Sequence, residues 1–558
     1  MRLYLSIIAL LLIPATSICQ SVYMPLNGIY QHIVDRKEIL NKRIFDQVHT
    51  SFKPYRRCDV VNILLDSGDN VNSRIDQSNT GYLLRENIEF FESKKSKKPL
   101  LKHFYQWPAN MLQIDRKDFW IKINPVIQLS AGRDPESSRS PYINTRGLEF
   151  RGNIDGKVSF YTFLAENQAI YPKYIQDVTD NQGYVPNEGF WKKYREVGVD
   201  FFTTRGYIQL QATKHISVQF GHDRNFIGNG YRSVILSDFG ASYPFLKLQT
   251  KVWKIQYTNL YAQLVADAPF TPGALGGSLG TEEFPSKFMT LHHLSMNIGK
   301  KLNIGIFESV IFHRGDSTSN AFEINYLNPI IFYRSIEQQV GSPDNAFFGL
   351  DFKWNIRKGI SVYGQGMLDE LIVGELTSGS GWWSNKYALQ LGAKYINAFN
   401  IPQLDFQLEY NYARPFIYSH VSMFTNYAHY RQPLAHPLGA NFKELVFLAR
   451  YQPVPKMFVS GKIISAQYGR DPDGLNLGGD ILKSYVNPTN EFGNETGQGV
   501  RHELTFADIS ISYMIRHNLF LDLKHVYRKL SIQNDVSQNT QFTSLGIRLN
   551  IHERDHSF

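Results

Sequence analysis

From Phe119 onward the chain repeats one pattern, a segment of alternating apolar and polar residues followed by a break, and no other feature restricts its fold so severely. In the first segment Phe119, Ile121, Ile123, Ile127 and Leu129 share one face of an extended strand, with Trp120, Lys122, Asn124, Gln128 and Ser130 on the other. Successive side chains of a strand point to opposite faces, so the segment suits a wall with lipid on one side and a wet lumen on the other. The pattern returns late in the chain. Leu404, Phe406, Leu408 and Tyr410 alternate with Asp405, Gln407, Glu409 and Asn411, and Leu519, Leu521 and Leu523 alternate with Asp522 and Lys524. Strands are predicted at 119–131, 143–154, 157–167, 195–213, 215–222, 245–251, 252–266, 287–299 and 302–313 in the first half. The second half gives 346–356, 359–369, 385–398, 403–414, 442–453, 455–469, 502–516, 518–530 and 541–552. The fourth segment is long enough to hide a bulge or a second strand.

The connections sharpen this reading, because short and long ones alternate. Tight turns such as Asp155-Gly156, Gly299-Lys300-Lys301, Arg357-Lys358-Gly359 and Arg516-His517-Asn518 follow the even-numbered strands. Longer connections follow odd-numbered strands, at 168–194, 223–244, 267–286, 314–345, 415–441 and 470–501. Bacterial outer-membrane barrels have an even strand number, short periplasmic turns and long outer loops. The expectation is an all-β transmembrane barrel of about 18 antiparallel strands over 119–558, with both termini periplasmic. A soluble propeller or sandwich would also give short strands, but neither requires the alternation of loop length.

The N-terminus agrees with export. Arg2 precedes an apolar run from Leu3 to Pro14 that is too short to span a bilayer, and Ser17 and Cys19 suggest cleavage before Gln20. Residues 1–19 therefore read as a signal peptide, and Ile18 argues against a lipoprotein box. Cleavage leaves Cys58 as the one thiol, which cannot form an intramolecular disulfide and reads as a small buried hydrophobe. Aromatic residues make up 14% of the chain, as belts at two membrane interfaces would require. The net charge of +9 is spread without a basic tract, which favours acidic polysaccharide or outer-membrane lipid headgroups over nucleic acid.

Residues 20–118 differ in kind. Ile29–Leu40, Asp59–Leu65 and Tyr82–Phe91 carry apolar residues at helical spacing, separated by Pro54, by Gly68-Asp69-Asn70 and by the run from Lys94 to Pro99. They predict a periplasmic helical domain. Because an eighteen-stranded barrel otherwise encloses an aqueous channel, this domain is a candidate plug.

The segment from Gly221 to Ser233 leaves the fifth strand into an outer loop, with Gly228 and Gly230 around Asn229 permitting a tight turn. Asp223, Arg224 and Arg232 are placed to pair in the barrel mouth; no lysine or following helix supports a phosphate cradle. The segment resembles the signature of the capsule assembly Wzi family, where a G-x-G turn follows a strand end and leads into a Leu-Ser run. Pro54-Tyr55-Arg56-Arg57, Phe348-Gly349-Leu350-Asp351, and Tyr363-Gly364-Gln365 through Asp369-Glu370 also resemble that family. Ile227 and Asn229 replace a tryptophan and a proline of enterobacterial members. The resemblance implies an eighteen-stranded barrel closed by an N-terminal helical bundle and acting as a lectin for capsular polysaccharide. Related barrels occur among gliding-motility surface proteins.

Independently of family, the 415–441 loop holds Phe416, Tyr418, Phe424, Tyr427 and Tyr430, and Trp382-Trp383 lies among glycines and serines. Aromatic faces stack on the apolar faces of sugars, so Trp382, Trp383, Phe416, Tyr418, Tyr427 and Tyr430 are candidate polysaccharide contacts; loop packing or an interface belt is the alternative. His420, His429 and His436 match no compact metal motif, and Asp471, Asp473 and Asp480 offer oxygen ligands for calcium or form a solvated turn. Asp369 and Glu370 should point to opposite strand faces and so cannot flank one glycosidic bond. Inward charges such as Glu149, Arg151, Asp351, Lys353, Glu409, Arg450, Asp522 and Lys524 are expected to form a lumen network. No catalytic residues, metal or cofactor are assigned. The expectation is a non-enzymatic surface protein that binds and organises exported capsular or extracellular polysaccharide. A gliding or surface-adhesion accessory barrel and a transport channel are the alternatives.

Overall fold

Eighteen antiparallel strands close on themselves in this computed structural model, which describes residues 21–26, 28–66, 73–90, 103–266, 285–314, 322–330 and 344–558. The wall runs through β1 (Phe119–Arg133), β2 (Tyr142–Ile154), β3 (Val158–Ile170), β4 (Gly198–Gln211), β5 (Ile216–Asp223) and β6 (Tyr243–Val252). It continues through β7 (Ile255–Val265), β8 (Ser286–Ile298), β9 (Leu302–Phe312), β10 (Asn345–Arg357), β11 (Ile360–Glu370) and β12 (Lys386–Tyr395). The last six are β13 (Leu404–Ala413), β14 (Phe442–Val454), β15 (Met457–Arg470), β16 (Val500–Arg516), β17 (Leu519–Ile532) and β18 (Gln538–Leu549). The expected leader 1–19, the Gly68–Asn70 break, the 94–99 run and most of the 267–286 and 314–345 loops lie outside the described residues.

The alternation decides which face is wet. Leu129, Leu148, Leu350, Leu408, Leu523 and Leu545 are exposed on the outer face, while Lys122, Arg151, Asp351, Lys353, Asp405 and Glu409 are buried toward the lumen. The outer face is what a bilayer requires of a barrel wall. The long fourth segment resolves into β4 alone, onto which a short strand at Lys192–Tyr194 folds back, pairing Lys192 with Asp200. One detail of the loop rhythm differs from expectation. The β12–β13 connection covers residues 396–403, whereas the β17–β18 connection covers only 533–537. In the former, Phe399 packs against Tyr395 and Phe406 at 5.8 and 6.0 Å, so a turn of that length carries its own small apolar contact.

β18 closes the wall by pairing Thr543 to Leu549 with Arg133 to Ile127 of β1. The start of β1 is covered instead by the short strand Leu112–Asp115, which pairs with Ile123 to Trp120.

The N-terminal segment occupies the lumen. Its helices are α1 (Ile29–Leu40), α2 (Arg57–Asp66) and α3 (Arg74–Glu86). The third begins well before the predicted Tyr82, because Ser73 caps it by accepting from the Asp76 N–H at 3.0 Å. Tyr30, Val34, Val60, Leu64 and Leu83 form a core that continues onto Met514 and Phe520 of the wall. Backbone hydrogen bonds from Ile44 to Lys300 and from Gly359 to Ile39 tie this plug to the short-turn rim. A fourth helix, α4 (Lys173–Gln182), lies in the β3–β4 connection. The C-terminal segment after β18, expected as strand only as far as residue 552, turns inward: the Tyr174 hydroxyl donates to the His556 carbonyl, and Arg554 pairs with Glu188 at 3.3 Å.

Some barrel charges pair with one another, as Arg548 with Asp522 at 2.6 Å and Lys462 with Asp508 at 3.2 Å, and others pair with these inserts. Lys353 meets Asp35 and Glu38 of α1, Arg151 meets Glu86 of α3 at 3.2 Å, and Lys524 meets Glu553 of the tail at 2.6 Å. Burial disfavours the Asp35 carboxylate, but the Lys353 and Lys394 ammoniums outweigh it and hold that carboxyl well below the usual range.

Candidate functional site

The loop leaving β5 turns down into the lumen, and every residue singled out in it has a structural partner. Gly221 faces the Tyr207 backbone so closely that a Cβ would lie 2.3 Å from Tyr207 Cβ. The Asp223 carboxylate accepts from the Arg224 N–H at 2.8 Å, and the Arg224 guanidinium donates to the Asp238 carbonyl. Phe226 and Ile227 then form an antiparallel bridge with Lys53 and Phe52 of the plug, and the Gly228 N–H donates to Ser51 O at 2.7 Å. Gly228 has φ +128°, and a Cβ there would lie 2.4 Å from Gln365 Nε2. That contact is tight because Gln365 grips both sides of the loop, donating to Ile227 O at 2.8 Å and accepting from the Val234 N–H at 3.0 Å.

Glu409 of β13 holds the next turn. Its carboxylate accepts the Tyr231 N–H at 2.7 Å, the Arg232 N–H at 3.0 Å and the Tyr363 hydroxyl at 2.8 Å. A Cβ on Gly230 would sit 2.5 Å from one of its oxygens, so the backbone approach needs glycine. The Arg232 side chain reaches Glu444 at 3.2 Å, and Glu444 accepts from His436 at 2.7 Å. The scattered stretches around Tyr55, Gly228 and Gln365 therefore meet as one fastening between plug, loop and wall.

The aromatic candidates divide into two groups. Phe416, Tyr418 and Tyr427 are buried: Tyr418 stacks on Tyr427 at 5.8 Å, Tyr427 contacts Phe347 at 4.8 Å, and the Tyr418 hydroxyl donates to Val234 O at 2.7 Å. They form the core under the loops and present no open ring face. Tyr430 is half-buried, lying against Gly189 of the β3–β4 connection.

Trp382 and Trp383 remain half-exposed on the long-loop rim, where residues the sequence did not mark join them. Phe492, 52% exposed, contacts Trp382 at 4.9 Å, and Tyr485 contacts Trp383 at 5.2 Å. Both come from the β15–β16 loop, whose isolated aromatics carry no periodic signal. The shelf is held by backbone: Trp383 N–H donates to Glu491 O at 3.0 Å, Asn494 N–H to Gly381 O at 2.9 Å, and the Arg414 guanidinium to Trp382 O at 3.1 Å. The Trp382 indole N–H is buried without a hydrogen-bond partner. Lys386 lies 4.1 Å from the Tyr485 ring centroid.

Asp369 and Glu370 do not diverge as a regular strand would have them. The register shifts between Leu368 and Glu370, and both carboxylates reach Lys386, at 3.2 and 3.3 Å. The histidines have separate partners: His420 meets Thr425 at 2.6 Å, His429 meets the Val265 N–H at 2.9 Å, and His436 meets Glu444. Asp471 accepts the Leu477 and Gly479 N–H groups at 3.2 and 2.9 Å, closing its loop on itself. Among the described residues no group of three His, Cys, Asp or Glu side chains is arranged to hold a metal ion.

Neither a protein-family model nor a curated protein sequence matches the chain. Among solved structures, OccK8 (OprE) of Pseudomonas aeruginosa aligns over 78% of this chain and 98% of its own at 10% identity, with a TM-score of 0.42. OprD of the same organism aligns over 77% and 95% at 11% identity, with a TM-score of 0.41. Wzi, an Escherichia coli outer-membrane protein involved in group 1 capsule assembly and described as a carbohydrate-binding β-barrel, aligns over 96% of this chain and 100% of its own at 12% identity. With a TM-score of 0.57 over that alignment, the chain shares the barrel fold of Wzi.

Proposed function

We propose that this protein is a non-enzymatic outer-membrane surface protein that binds and organises exported capsular or extracellular polysaccharide, with the long-loop rim outward and the plug at the periplasmic side. The observation that carries the proposal is the half-exposed shelf of Trp382, Trp383, Tyr485 and Phe492, fixed by backbone hydrogen bonds between two loops. A preformed aromatic surface binds sugar faces with little ordering cost. The helices and tail in the lumen support binding at the rim over conduction through the barrel, and the fold shared with a carbohydrate-binding barrel agrees. The nearby acids favour no hydrolysis, because Lys386 engages both.

A glycan array probed with purified wild type and with a Trp382→Ala/Trp383→Ala/Phe492→Ala variant tests this. The variant is expected to lose about tenfold in affinity for whatever glycan the wild type selects. No glycan bound by the wild type, or equal binding by both, overturns the proposal.

A further inference from the structure

The short-turn rim has a charge unlike the rest of the molecule. Lys157, Lys214 and Lys254 stand in the β2–β3, β4–β5 and β6–β7 turns, and Lys300 with Lys301 in the β8–β9 turn. Arg357 with Lys358, then Lys456 and Arg516, continue the series around the barrel. Asp155 is the one acid within these turns, and none of the nine cations forms an ion pair with a described residue. By contrast, the β15–β16 loop on the opposite rim carries Asp471, Asp473, Asp480, Glu491 and Glu495 against Lys483.

The cations sit at a fixed height relative to the apolar wall. The exposed apolar residue ending each strand is followed within a few positions by a basic one: Ile154 by Lys157, Ile298 by Lys300, Ile356 by Arg357, Val454 by Lys456 and Ile515 by Arg516. Trp253, 69% exposed, lies beside Lys254 at 5.7 Å, and Phe399, 71% exposed, occupies the turn that lacks a cation. Exposed aromatics and long basic side chains at the end of a lipid-facing band mark the headgroup layer. Lys42 of the plug also approaches Lys301, and that contact between amines lowers the Lys301 pKa below the usual lysine range. Two cations meeting without a carboxylate make a place for an anion.

We propose that the short-turn rim is a collar for anionic glycerophospholipid headgroups, in which the turn lysines and arginines engage lipid phosphates around the barrel. A soluble acidic partner would meet cations spread along the perimeter beside lipid-facing residues, whereas a phospholipid leaflet surrounds that perimeter by construction. The inference is independent of the glycan shelf.

The test is reconstitution of the full chain in vesicles containing spin-labelled phosphatidylglycerol, phosphatidylcholine or lipid A, reading lipid association by electron paramagnetic resonance. Phosphatidylglycerol is expected to be preferred over phosphatidylcholine on the order of fivefold, and the preference should fall in about 0.5 M salt. A Lys300→Gln/Lys301→Gln/Arg357→Gln/Lys358→Gln variant should weaken the preference, and a Lys300→Arg/Lys301→Arg/Lys358→Arg variant should keep it. If the glutamine variant does not fold, the salt response of the wild type and the arginine variant decide. Equal association of both phospholipids, a preference insensitive to salt or to the glutamine substitutions, loss in the arginine variant, or selection of lipid A alone would overturn it.

Discussion

Replacing Glu409 by glutamine changes one oxygen to an amino group where the structure needs acceptors on both. One carboxylate oxygen takes the Tyr231 N–H at 2.7 Å and the Tyr363 hydroxyl at 2.8 Å; the other takes the Arg232 N–H and the Asn411 amide at 3.0 Å each. Whichever way the new amide turns, at least two donors face an NH₂ group in a fully buried site, because the Gln390 amide at 3.3 Å shares the oxygen that Arg232 and Asn411 use. Each lost bond with a stranded buried donor costs about 1.5–3 kcal/mol, so the turn should loosen by roughly 3–6 kcal/mol. Hydrogen exchange read by mass spectrometry on peptides covering 226–236 is the assay, since it reports local opening without requiring reversible unfolding of the barrel. A loss on that scale speeds exchange of the Tyr231 and Arg232 amides by about two to four orders of magnitude. Unchanged protection there, with the variant folded, would refute the fastening role of Glu409.

Gly228→Ala should destabilise the same loop by about 1–3 kcal/mol, because φ +128° is strained for any side chain and the Cβ meets Gln365; the readout is the same peptide set. Lys353→Met leaves Glu38 without its ammonium partner and Asp35 with Lys394 alone, and should weaken plug docking by about 3–5 kcal/mol, seen as faster proteolysis of residues 21–90. Burial holds His429 and His556 to about 3 and His420 to about 4. Their unfolded forms bind protons first, so the stability they contribute is full above about 6.5 and is lost as pH falls toward 3, at about 1.4 kcal/mol per histidine by pH 5.5. A melting temperature flat between pH 7.5 and 5.5 would contradict that sign. Deleting residues 21–90 should raise single-channel conductance well above that of the intact protein, and a large steady conductance before deletion would contradict an occupied lumen.

The wall was legible from sequence because lipid and lumen impose a period of two on every strand, and a strand such as Leu404–Ala413 obeys it residue by residue. What the lumen contains was only partly legible. The helical spacing of Ile29–Leu40 revealed α1, but the start of α3 depended on the cap at Ser73, outside any apolar repeat. The tail after Leu549 has no repeat at all, and its inward course follows from partners such as Glu188 that lie far away in sequence. Aromatic content could not separate a ring that stacks inside a loop, such as Tyr427, from one that faces outward, such as Phe492, because both satisfy the same composition. Glu409 likewise read as an ordinary inward charge, and Gln365 only as part of a stretch resembling the Wzi family; their role appears only once the β5–β6 loop is seen to descend onto them.

The short strand Leu112–Asp115 has a consequence for how the two parts of the chain depend on each other. β18 covers β1 only from Ile127 to Arg133, and the short strand covers Trp120 to Ile123. Without it, the foot of β1 would present bare peptide groups near the hydrocarbon, which a bilayer penalises heavily. The residues just before the barrel are therefore a gasket on its seam as well as a tether for the plug. Truncation to residue 90 unstoppers the barrel; truncation to residue 118 also leaves a leak in its side.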